Sequence, residues 1–61
     1  MTIFIFENQE RTEVRENQTM DDFRTLAEKV VKIYPNADYC DGADRITWHN
    51  SINVLCDVMI R

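Results

Sequence analysis

Three residues in this 61-residue chain have side chains suited to hold a transition metal or to pair as nucleophile and base: Cys40, His49 and Cys56. Structural zinc takes four ligands, commonly including a closely spaced cysteine pair. Here the spacings are wide and a fourth soft ligand is missing. A Cys–His nucleophile would also need an orienting third group and an oxyanion site. Asn50 and Asp57 lie near in sequence but form no signature. Cys56 sits on the apolar side of an alternating run, where a free thiol behaves as a small hydrophobe. Asp38, Asp41 and Asp44 around Gly42 suggest a calcium loop, but in an EF-hand the glycine is sixth and the first position is acidic. Counting back from Gly42 puts Ala37 there, so a solvated acidic loop is expected. A single glycine also rules out a glycine-rich phosphate cradle. The chain is therefore expected to have no catalytic, cofactor-binding or metal-binding residue, and not to be an enzyme.

Carboxylates are the remaining chemical theme. Glu7, Glu10, Glu13, Glu16, Asp21 and Asp22 could imitate a phosphate backbone, although Arg11 and Arg15 interrupt the series. The net charge of −4 is ordinary for a small domain. Seven scattered Lys and Arg against eleven Asp and Glu make a nucleic-acid partner unfavourable, because phosphate neutralisation supplies most of such affinity. No apolar run approaches the roughly 18 residues that span a membrane, and Met1–Glu7 lacks the basic start of a signal peptide. Two cysteines are too few for a disulfide scaffold, so a cytoplasmic location with reduced thiols is expected.

The elements that must position these residues are legible from periodicity. Residues 1–61 make one small domain, whose core must be small because such a chain buries only about 60% of its unfolded surface. A substrate pocket of about 300 Å³ or more would take most of that core away. Thr2–Phe6 reads as an interior strand, since Ile3/Ile5 and Phe4/Phe6 make both of its faces apolar. After a polar turn at Glu7–Glu10, Arg11–Glu16 reads as an edge strand with Arg11, Glu13 and Arg15 on one charged face. A polar helix through Glu7–Gln18 would have only Val14 as a large residue to bury. Met20–Tyr34 is predicted helical: Thr19 caps it, Asp22 completes a capping box, and Pro35 ends it. Its stripe is Met20, Phe23, Leu26, Ala27, Val30, Ile33 and Tyr34. Asn36–Asp44 is a polar loop, Arg45–His49 a strand, Asn50-Ser51 a tight turn, and Ile52–Ile60 the longest strand. The expected architecture is α+β: a small antiparallel sheet in the order β-β-α-β-β, with one amphipathic helix on one face.

One helix cannot cover two apolar faces. If it packs over Ile5, Val54, Cys56 and Val58, then Phe4, Phe6, Leu55 and Met59 are left uncovered unless the Asn36–Asp44 loop, with Tyr39, folds across them. Contiguous apolar patches on small proteins mark interfaces. The expected contact surface is therefore Phe4, Phe6, Leu55 and Met59, with Glu7, Glu10 and Glu13 as an acidic rim. The element order and size resemble the small proteins with which phages and plasmids block host enzymes. That resemblance implies an inhibitor of a nucleic-acid-processing or defence enzyme and assigns no residue a role. The expected function is thus non-catalytic binding to a protein partner. The alternatives are a homodimeric or larger accessory subunit that buries its second sheet face, and a single-strand nucleic-acid binder stacking bases on Phe4, Phe6 and Trp48.

Overall fold

β-branched and aromatic runs become strands and the 3.6-residue stripe becomes a helix in the computed structural model, which describes residues 1–61. The elements are β1 (Ile3–Glu7), β2 (Glu10–Arg15), α1 (Met20–Ile33), β3 (Arg45–His49) and β4 (Leu55–Ile60). They form the α+β architecture that periodicity predicts, a four-stranded antiparallel sheet in the order β2-β1-β4-β3. The two strands richest in apolar residues, β1 and β4, occupy the centre and join the chain ends. Thr2 N–H donates to the Arg61 carbonyl at 2.7 Å, and Arg61 N–H donates back at 2.9 Å.

Turn chemistry sets the register of both hairpins. Asn8 and Gln9 both have positive φ, 53° and 66°, as a two-residue type I′ turn requires. Between Ile5 and Phe6 the β1–β2 pairing slips: Ile5 faces Glu13 but Phe6 faces Arg11, which leaves Thr12 as an extra residue. Its hydroxyl donates to the Ile5 carbonyl at 3.3 Å. A one-residue bulge reverses the side-chain parity beyond it. Arg11 consequently shares a side with Phe6, while Glu13 and Arg15 share the other with Ile5 and Ile3. The single charged face expected of Arg11, Glu13 and Arg15 is thereby corrected.

The second hairpin also departs from expectation. Asn50 Oδ1 accepts from Ile52 N–H at 3.1 Å and Val54 N–H at 3.0 Å, and Asn53 turns to φ 62°. The chain therefore makes a three-residue loop, Ser51–Asn53, where a two-residue turn was expected, and β4 begins at Leu55 and not Ile52. Ile52 is 74% exposed; period-2 alternation continued past a residue whose backbone is not extended.

The helix is capped as its sequence specifies. Asp22 N–H donates to Thr19 Oγ1 at 3.1 Å, and Thr19 N–H donates to Asp22 Oδ2 at 2.8 Å. Phe23, Ala27 and Val30 are buried against Ile3, Ile46, Val58 and Ile60, with Leu26, Val31, Tyr34, Ala37, Tyr39 and Trp48 packed around them. Ile33, expected in the stripe, is 69% exposed. It lies on one flank of the buried row, Val31 lies on the other, and the helix is rolled toward the Val31 flank.

Candidate functional site

Strand register divides the sheet into two unlike faces, because residues directly opposite in an antiparallel pair point the same way. Ile3 and Ile5 of β1, Cys56, Val58 and Ile60 of β4, and Ile46 and Trp48 of β3 lie under the helix. The other face carries Phe4 beside Val14 and Met59, Phe6 beside Arg11 and Asp57, and Leu55 beside His49. No helix or loop covers it. The Asn36–Asp44 loop runs along the β3 edge: Asp38 and Thr47 exchange backbone hydrogen bonds at 2.8 and 3.3 Å. Tyr39 turns to the helix side, where its ring meets Phe23 edge-on at 6.3 Å.

Phe4, Phe6, Leu55 and Met59 are accordingly brought together on one face, each partly exposed, with Val14 more exposed beside them. The three glutamates are not brought to that face. Glu7 is opposite Cys56 and Glu10, and Glu13 is opposite Ile5, so all three project on the helix side. The arrangement also separates the aromatics of the stacking alternative. Trp48 lies on the helix side with its ring on Tyr34 (centroids 6.1 Å apart, planes 26°), away from Phe4 and Phe6.

Two charged residues outside the expected contact surface complete the open face. Asp57 lies between Leu55 and Met59 along β4, and Arg45 Nε stands 3.3 Å from its Oδ1. The alignment is too poor for a hydrogen bond, and that buried oxygen has no donor. The signal was present in the sequence as a single acid alternating with apolar residues. Its neighbour Arg45 could not be assigned without the β3–β4 register.

The groups singled out for chemistry are dispersed. No three His, Cys, Asp or Glu side chains stand close enough to share a metal ion. Cys56 is buried and Cys40 exposed. Burial raises the Cys56 pKa, with repulsion from Glu7 adding to it, so the thiol is held protonated. Tyr39 is likewise raised, first by burial and then by Asp41. An open cleft of about 460 Å³ lies between the end of α1 and β3, lined by Tyr34, Asp38, Trp48 and His49 among others. It sits at the rim of the molecule, so its volume is not taken from the core. The chain matches no known family model, no curated protein and no solved structure.

Proposed function

We propose that this protein is a non-catalytic protein-binding domain whose contact surface is the open sheet face. One observation carries this reading: a central strand pair, β1 and β4, presents Phe4, Phe6, Leu55 and Met59 on a face that no other element covers. Aromatic residues and Met are favoured in interface cores, and such residues do not gain stability from facing water. Glu7, Glu10 and Glu13 lie on the helix side and do not border this surface, so the acidic residues act on approach to a basic partner only through the net charge of −4, with an on-rate that falls with salt. A role as an inhibitor of a nucleic-acid-processing or defence enzyme, of the kind made by phages and plasmids, fits that charge.

The test compares Phe6→Asp on the open face with Glu28→Ala on the exposed side of the helix. Both variants should keep the helical circular dichroism signal. Proteins that co-purify with the wild type should also be held by Glu28→Ala and lost from Phe6→Asp. Equal recovery by the two folded variants would remove the open face from the function.

A further inference from the structure

Given that the open face is a protein-contact surface, we infer that its occupant is a second copy of this chain, packed sheet against sheet about a two-fold axis. Three features of the molecule favour this occupant.

The first is the size of the core. Only eight residues are buried. Domains below about 70 residues generally add a disulfide, a metal or an oligomeric contact to such a core. The two cysteines are unpaired, one exposed and one buried, and no side-chain cluster is suited to a metal. Association is the device that the geometry leaves.

The second is charge. The chain carries −4, so two copies repel unless the faces that meet are nearly neutral. Register places Arg11, Arg45 and Arg61 with Asp38 and Asp57 on the open side or its edges. The remaining carboxylates lie on the helix side, in loops or at strand ends. A face with both signs and a small net charge is suited to meeting itself, and back-to-back packing keeps the acidic helix sides apart. An isologous contact also lets Arg45 of each copy reach Asp57 of the other.

The third is area. The molecule is a slab with Cα extents of 31 × 24 × 14 Å. Its broad side is comparable to the roughly 800 Å² per partner of a standard interface. Aligned sheet-on-sheet packing across about 10 Å would bring Phe4, Phe6, Leu55 and Met59 of the two copies into one core.

Light scattering and sedimentation over a range of concentrations test this directly. Wild type should have twice the 7.3 kDa chain mass, and Phe6→Asp should be a folded monomer. Arg45→Asp and Asp57→Arg should each weaken the dimer at least about tenfold, the size of effect seen at interface hot spots. Mixed together, these two charge variants should form a heterodimer, because only a contact between chains can restore both opposite-charge pairs. If Phe6→Asp does not fold, the mixing experiment decides. A wild type that remains monomeric at about 100 μM, far above typical dimer affinities, would overturn the second copy as occupant. The co-purification comparison above would then still decide whether the face binds another protein. A dimer unaffected by all three variants would place the contact elsewhere. Mass that keeps growing with concentration would indicate head-to-tail assembly. Either result overturns the inference.

Discussion

The two faces of the sheet are built from the same strands and both carry large apolar side chains, yet only one is a core. Under the helix, Ile3, Ile46, Val58 and Ile60 are 2% exposed or less. On the opposite face, Phe4 of β1 and Leu55 and Met59 of β4 keep part of their surface in contact with solvent. What makes one of them a core is a second layer; the open face also carries Arg11, Arg45 and Asp57 among its apolar residues. A strand position becomes structural when another element closes over it and remains available for binding when none does.

The largest test of this contrast is truncation under the helix. Phe23→Ala removes a fully buried ring and should cost about 3–5 kcal/mol. Chemical denaturation should then show a substantially unfolded population, since small domains have little stability to lose. The equivalent change on the other face, Phe4→Ala, removes a partly exposed ring. Measured on dilute, monomeric protein, it should cost about 1–2 kcal/mol, because less area is withdrawn from water. Equal losses at the two positions would mean that the open face is as structural as the covered one.

A smaller effect should come from the turn that fixes the register of both faces. Gln9 adopts φ 66°, a region that glycine enters without strain. Gln9→Gly should relieve about 1–2 kcal/mol of left-handed strain, offset by about 0.4–1 kcal/mol for the freer unfolded chain, for a net gain of about 0.5–1 kcal/mol, and a loss would show that the β1–β2 turn is not held in this form. The gentlest test uses the thiol on the covered face. The Cys56 pKa is raised when folded, so its contribution is fully present below the unfolded thiol value near 8.5 and is lost as pH rises through the folded value. Stability should decline from about pH 8.5 upward, and Cys56→Ala should flatten that decline. In the native protein an alkylating reagent should modify the exposed Cys40 first; comparable rates at the two thiols would contradict burial of Cys56.

Local patterns in the sequence determined the elements. Thr19 and Asp22 mark the helix start, Pro35 marks its end, the all-apolar run Ile3–Phe6 marks one strand, and alternation along Ile52–Ile60 marks another, which the turn shortens to Leu55–Ile60. These signals are legible because capping and side-chain period act within a few residues of one another. The same patterns made Phe4, Phe6, Leu55 and Met59 a candidate surface, but attached Glu7, Glu10 and Glu13 to it wrongly in space. Only the tertiary structure decided that point. Which strands meet depends on hydrogen bonds between distant segments, while the Thr12 bulge and the Asn53 turn are local but interrupt side-chain period without a mark in it, and a single inserted residue reverses the direction of every side chain beyond it. Register likewise placed Arg45 beside Asp57, while packing between elements put Tyr39 on the helix side and left Ile33 in solvent. Periodicity assigns residues to a face of their own element, and only packing between elements determines whether that face is covered.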